Sequence, residues 1–390
     1  MSSGINVGLS VGESTSTNGR YAFAEEQVDH TYIADSTNYL TVLSGASAGE
    51  SIGLEAGVYT DGLVVPSNIT IASLYGVGTV NFVGGDNAWE AIIQLPNIGG
   101  VIDGLIAHDP DNSNSNAIQV DGTYNQVLNC GAYNGGTHKH KIPCIIGGNY
   151  NLIEDSFFFG LGRYTIQTFT SEYNTIRRCV ARWDSTIPGD LSEPNAAFSN
   201  YNSNNNTWEN CISIDYNSTP EPMRHGGDFY APHHISIWPN GNRDNKWLGC
   251  AVAYHDRSND AGDNNNFGFR SDPDPTTTCI NNVIKDFFIR DMRADFGIST
   301  YFGVTITNLT RELITAPLLS DGTFGSSGSS LDSTNPADID YKYIDGVKTD
   351  ELVFPFKHEA IMKEEMAKVA DGSRGWVGSG KSLHDYVKGI

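Results

Sequence analysis

Between residues 125 and 287 one pattern of polar and apolar positions returns six times: an asparagine, an apolar residue two places on, and Cys, Ser or Phe five places on. The copies read Asn125-Gln-Val-Leu-Asn-Cys130, Asn151-Leu-Ile-Glu-Asp-Ser156 and Asn174-Thr-Ile-Arg-Arg-Cys179, then Asn206-Thr-Trp-Glu-Asn-Cys211, Asn245-Lys-Trp-Leu-Gly-Cys250 and Asn282-Val-Ile-Lys-Asp-Phe287. Asn68-Ile-Thr-Ile-Ala-Ser73 reads as a degenerate earlier copy. A repeat of this size marks an architecture in which one unit cannot bury its own apolar face, so equivalent positions stack into a shared core. The steps between the asparagines are 26, 23, 32, 39 and 37 residues. The two shortest predict one turn of a parallel β-solenoid, and the longer ones a turn plus an insertion. The third and sixth positions are expected to face inward. The asparagine is expected at a corner, where it tolerates left-handed or turn backbone, and to bond its neighbours rung over rung.

Each copy is followed by a second short strand pattern, as in Val180-Ala-Arg-Trp183, Ile212-Ser-Ile-Asp215 and Ala251-Val-Ala-Tyr254. The chain then departs into residues 134–148, 184–202, 216–242 and 255–278. Leaving at one rung position, these loops should gather on one side and wall a groove, and insertions of this kind mark the binding face of a repeat protein.

Composition agrees with a turn-rich β protein. Gly (42) and Asn (35) fill about a fifth of the 390 residues, and both are poor helix formers, which excludes a helical bundle or a coiled coil. Four of the six cysteines (Cys130, Cys179, Cys211, Cys250) share the sixth repeat position, so they are expected as stacked, buried, reduced thiols. One disulfide between adjacent rungs is the alternative. The formal charge of −22 argues against non-specific nucleic-acid binding, which needs Lys and Arg on phosphates. That charge is unevenly spread: residues 1–130 hold 1 base against 14 acids, residues 131–182 hold 6 against 3, and the remainder 17 against 29. A basic middle on an acidic body can receive an anionic sugar polymer. Apolar runs are too short for a membrane helix, so no membrane insertion is expected. The first thirty residues read as no signal peptide in the sequence as given.

The stretch Glu55-Ala-Gly-Val-Tyr-Thr-Asp-Gly-Leu-Val-Val-Pro-Ser-Asn-Ile-Thr-Ile71 resembles the opening rung of right-handed parallel β-helix proteins of the pectate-lyase-like superfamily, which includes polysaccharide lyases and phage tailspikes. The resemblance implies an all-β fold: a right-handed parallel β-helix (solenoid) over residues 36–320. An N-terminal extended arm and cap (1–35) precedes it. A Gly/Ser-rich linker (321–345) and a C-terminal helical clamp (346–390) follow, with a short helix over Lys357–Ala370. Met362, Met366 and Val369 form that helix's apolar stripe, and Gly372 stops it.

Candidate chemistry lies in the loops. Arg224-His225-Gly226 is similar to the Arg-His-Gly stretch of the chondroitinase-B and alginate-lyase family, which implies Arg224 beside a uronate carboxylate. That family's partner lysine has no equivalent here, and the triplet sits in a long insertion. Removal of the proton next to a carboxylate needs a base and a neutralising cation, so Arg224, His225, Tyr230 and His233 are the candidate catalytic residues. Lys139, Lys141, Arg163, Trp238, His255, Arg257 and Arg270 are candidate sugar contacts. The oxygen-rich runs around Asp109 and Asp111, and around Asp256 and Asp260, could hold Ca²⁺, and turn chemistry explains them equally; no other cofactor is expected. Two functions compete: a virion- or surface-associated adhesin of tailspike kind, assembled as an oligomer through its arm and binding polysaccharide, and a secreted polysaccharide lyase, or less favoured a hydrolase, working in the same groove.

Overall fold

The computed structural model describes residues 29–75, 79–84, 91–109, 116–134, 142–161, 164–185, 196–209, 211–216, 227–231, 242–256, 267–271, 281–291, 298–299, 304–313, 343–344 and 347–348. The chain winds as a right-handed coil of parallel strands with three faces, the hand that parallel crossovers take almost without exception. The first face stacks Tyr32–Ala34, Ser51–Leu54, Thr70–Ser73, Val101–Asp103, Gln126–Leu128, Leu152–Glu154, Thr175–Arg177, Thr207–Glu209 and Lys246–Leu248. The second runs from Gly57–Tyr59 to Ala251–Asp256. The third runs from Leu63–Val64 through Tyr164–Phe169 and Ala196–Tyr201 to Ile298–Ser299. Near the far end, the ten-residue strands Asn282–Asp291 and Val304–Leu313 each span both of the first two faces and join them into one 19-stranded sheet. Tyr343–Ile344 and Val347–Lys348 form a small antiparallel pair.

Register puts like residues above like. On the first face Ile52, Ile71, Ile102, Val127, Ile153, Ile176, Trp208, Trp247 and Ile284 form one buried column. A second column is Val80, Leu105, Cys130, Ser156, Cys179, Cys211, Cys250 and Phe287, the expected sixth-position ladder. All five described cysteines are buried and free. Each ladder thiol leans on a backbone carbonyl of the rung before, such as Cys179 Sγ on Ile153 O at 3.6 Å and Cys211 Sγ on Ile176 O at 3.4 Å. Burial pushes the thiols of Cys144, Cys179 and Cys211 well above their ordinary range, so they stay protonated.

The repeating asparagines carry a different part from the one expected. They are not the left-handed corner residues: the residue before each one is. Asn68, Gly99, Tyr124, Tyr150, Tyr173, Asn205, Asp244 and Asn281 all have φ between +55° and +70°. The ladder asparagines lie buried, and each Oδ1 accepts the backbone N–H of the equivalent residue one rung earlier. Asn151, Asn174, Asn206, Asn245 and Asn282 accept from Asn125, Asn151, Asn174, Asn206 and Asn245 at 2.8–3.0 Å. Each Nδ2 donates to a carbonyl at the preceding corner, as Asn151 does to Gly122 O at 3.0 Å. This phase also corrects the early copy. Thr70 registers with Val101, and Val101 with Gln126, so Ile69 stands at the ladder position and Asn68 at the left-handed one.

A seven-residue helix, Tyr39–Gly45, closes the first end of the coil. Asp35 Oδ1 accepts the N–H groups of Thr37 and Asn38 just ahead of it, at 2.8 and 3.1 Å. Tyr39 packs edge-on against Tyr59 and Phe82 and donates its hydroxyl to Gly62 O at 2.7 Å. Residues 1–28, most of the linker (321–342 and 345) and the predicted helix Lys357–Ala370 lie outside the described residues.

Candidate functional site

The third face explains the long loops. Residues 134–148, 184–202, 216–242 and 255–278 are not loops throughout. They contain the strands Ile142–Ile146, Ala196–Tyr201, Gly227–Ala231 and Phe267–Ser271. The segments that connect a second-face strand to the next third-face strand are residues 60–62, 84–92, 110–115, 135–141, 162–163, 186–195, 217–226, 257–266 and 292–297. Two further insertions, 232–241 and 272–280, fall at the other edge of the third face.

One register line runs the length of that face: Val64, Gln94, Gln119, Ile145, Gln167, Ser199, Tyr230, Arg270 and Ser299, and from Val64 to Ser199 it lies on the side away from the core. The neighbouring line, Leu63, Ile93, Ile118, Cys144, Ile166 and Phe198, faces the core. The outer line is mostly amide and hydroxyl. Gln119 Nε2 donates to Asp121 Oδ2 at 2.6 Å, and Gln167 Nε2 reaches Ser199 Oγ at 3.5 Å. Gln167, Ser199 and Thr165 are buried even though they lie on the outer side of the sheet.

Two predicted site residues fall on this register line. Tyr230 and Arg270 occupy this one line on adjacent rungs, about 4.8 Å apart. His255 and Asp256 end a second-face strand, where residues 257–266 leave. Asp109 ends a strand at the same edge. Its position continues through Asn134, Gly160, Trp183 and Asp215 to His255, about 24 Å along the axis. The two acidic runs are therefore separate places. Among the described residues no group of three or more His, Cys, Asp or Glu gathers as a metal site. Arg224, His225, His233, Lys139, Lys141, Arg163, Trp238, Arg257, Asp111 and Asp260 lie outside the described residues.

The basic middle zone is partly spent on itself. Arg178 holds Asp155 with two bonds of 2.9 and 3.2 Å and also pairs with Glu154, while Arg177 pairs with Glu154 at 3.0 Å. These groups stand where the first face ends, across the coil from the amide line.

A second surface feature escaped the sequence reading. Tyr124, Tyr150 and Tyr173 stand at the left-handed position of three successive rungs. Their rings stack with centroids 5.1 and 4.9 Å apart and planes within 14° of parallel, and about half of each residue is exposed. Left-handed backbone costs an ordinary L-residue about 1–2 kcal/mol, and an aromatic pair returns about 0.5–1.5 kcal/mol. Three strained tyrosines and two pairs leave the column at a net cost. Asn, Asp or Gly fills this position on the other rungs at less strain. Beside it Phe169 stacks on Tyr201 at 5.4 Å, at the exit of the third face. The next residue, Thr170, has φ +53°, an outlier for a β-branched side chain. The signal in the sequence was the Tyr-Asn pair, which recurs in phase at 124–125, 150–151 and 173–174.

Three faces, stacked ladders and a looped edge define a right-handed parallel β-helix protein. No protein-family model matches the chain, and no curated protein matches its sequence. Among solved structures, pectate lyase Pel9A superposes with a TM-score of 0.50 at 14% identity, over 84% of this chain and 89% of that one. Pectin methylesterase from carrot gives 0.47 at 12% identity over 72% and 88%. A tailspike protein from an Acinetobacter baumannii bacteriophage, a capsular polysaccharide depolymerase, gives 0.36 at 12% over 74% and 62%. The likeness is one of fold, the parallel β-helix.

Proposed function

We propose that this chain is a glycan-recognising β-helix protein of the tailspike or surface-adhesin kind, which binds a polysaccharide lengthwise on its third face. The observation that carries this reading is the amide-rich register line of the third face, Gln94, Gln119, Gln167 and Ser199, which Ile145 interrupts and along which Gln94 and Gln119 are partly exposed. A linear polymer is the ligand that suits a site repeating along one axis, because successive rungs present their polar groups at a constant spacing. Assembly into an oligomer through residues 1–35, and a place on a virion or an extracellular surface, belong to the same proposal.

Lyase chemistry is the second reading, favoured by the adjacency of Tyr230 and Arg270. A phenolate there would take a proton, and a guanidinium one rung away would hold the carboxylate whose α-carbon loses it. One panel separates the two: alginate, chondroitin, pectin and bacterial capsule, with and without Ca²⁺, followed by unsaturated-product absorbance and by equilibrium binding. Binding with no new absorbance and no reducing ends is the expected result. Turnover that disappears in Arg224→Ala or Tyr230→Phe would displace the adhesin reading in favour of the lyase.

A further inference from the structure

The aromatic column at the exit of the third face has no part in folding that its neighbours do not fill at lower strain. Tyr124, Tyr150 and Tyr173 hold left-handed backbone where Asn68, Gly99, Asn205, Asp244 and Asn281 do the same on other rungs. Strain persists where the surroundings over-determine it, and it concentrates at sites that use it. Here it recurs within four residues, at Thr170 and Tyr173, on the turn that carries the exposed ring of Phe169. The column continues the outer line of the third face sideways: Gln167 and Phe169 lie two apart on one strand and so share a face, as do Ser199 and Tyr201 on the next. The polar register line thus lies beside the stacked rings of Phe169, exposed, and Tyr201, partly exposed. Aromatic bodies with polar tips beside amides form a surface for polyhydroxylated chains, whose C–H faces and hydroxyl groups alternate.

Charge narrows the ligand class. The described charged groups at this corner on the tyrosine rungs are Asp121 and Glu172, both acids. Glu172 accepts from Asn204 Nδ2 at 3.0 Å. Arg243 and Lys246 stand two rungs beyond Tyr173, and Arg177 and Arg178 are tied to Glu154 and Asp155. A uronate polymer laid along the column would meet acids on the rungs where the rings are.

Resting on the glycan-binding reading above, we propose that Tyr124, Tyr150, Tyr173 and Phe169 form a binding rim for an uncharged polysaccharide aligned with the coil axis. The test replaces the tyrosines with the residue the fold already uses there. The triple variant Tyr124→Asn, Tyr150→Asn, Tyr173→Asn keeps the left-handed backbone and should melt within a few degrees of the parent. Parent and variant are compared on a printed array of uncharged and uronate-rich polysaccharides, with affinities then measured in solution. The expected result is binding to an uncharged polymer that weakens at least about tenfold in the variant. Unchanged binding in the well-folded variant overturns the rim while leaving the glycan-binding reading intact. Preference for uronate-rich polymers overturns the ligand class. Binding to no polysaccharide at all overturns the reading and the rim together.

Discussion

Asn174 makes four hydrogen bonds from a buried position. Its Oδ1 accepts from Asn151 N–H at 2.8 Å, its Nδ2 reaches Gly148 O and Ser171 Oγ at 3.0 and 3.1 Å, and its own N–H goes to Asn206 Oδ1 at 2.8 Å. Asn174→Ala would take from the buried Asn151 N–H and the Gly148 carbonyl the amide that bonds them. Leaving a buried polar group unsatisfied costs about 1–3 kcal/mol, so a loss of about 3 kcal/mol is expected in urea unfolding. The residue just before it has a different role, and Tyr173→Asn alone should leave the midpoint nearly unmoved. A small loss at Asn174 would mean that the ladder is ornamental. The sequence displayed these asparagines but not their role, because Asn suits both a left-handed corner and a side-chain ladder. Only register separates the two, and Tyr124, Tyr150 and Tyr173 at the strained position disguised it.

At the scale of strands and turns, the two edges of the third face obey different rules. On the rungs from Val101 to Glu209 the third-to-first turn is short and threaded by backbone bonds between rungs, such as Gly99 N–H to Thr123 O at 2.9 Å and Tyr124 N–H to Asn149 O at 3.2 Å. The second-to-third edge carries every long insertion on those rungs. Four residues, Gly-Ser-Gly-Ser, inserted between Thr123 and Tyr124 should break the ladder locally and lower stability by several kcal/mol. The same four placed after Gly189 should cost well under about 1 kcal/mol, since loop-closure entropy grows slowly with length. Equal tolerance of both, read by thermal unfolding, would refute the distinction. The first two faces were legible because the ladder positions keep constant spacing within them. The third was not: its strands shrink to two residues at Leu63–Val64 and Ile93–Gln94, and segments of changing length precede them, so no fixed period points to them.

For the whole molecule, the net charge of −22 tells less than where the charge is neutralised. Pairing of Arg177 and Arg178 with Glu154 and Asp155 removes them from any role as a landing strip for a polyanion. A ligand held by amides, hydroxyls and rings should be indifferent to salt. Raising ionic strength to about 1 M, where the Debye length is about 3 Å, should change its affinity by less than about twofold. A steep fall would restore the charged-polymer picture. Reading the chain by blocks of net charge could not reveal this, because residues 23 apart in sequence become neighbours only once the coil is wound.

The asparagine ladder also has a consequence in time. Every Oδ1 bond in it runs from an earlier rung's N–H to a later rung's side chain, so this latch on a turn of the coil is supplied by the turn synthesised after it. Chains fold from the N-terminus as they leave the ribosome, at about 5–20 residues per second. With the coil closed at its first end by the helix Tyr39–Gly45, growth would proceed like a ratchet, each newly emerged asparagine locking the rung before it. A ribosome stalled just before Asn206 would hold a nascent coil whose last turn, at Asn174, still awaits its catch.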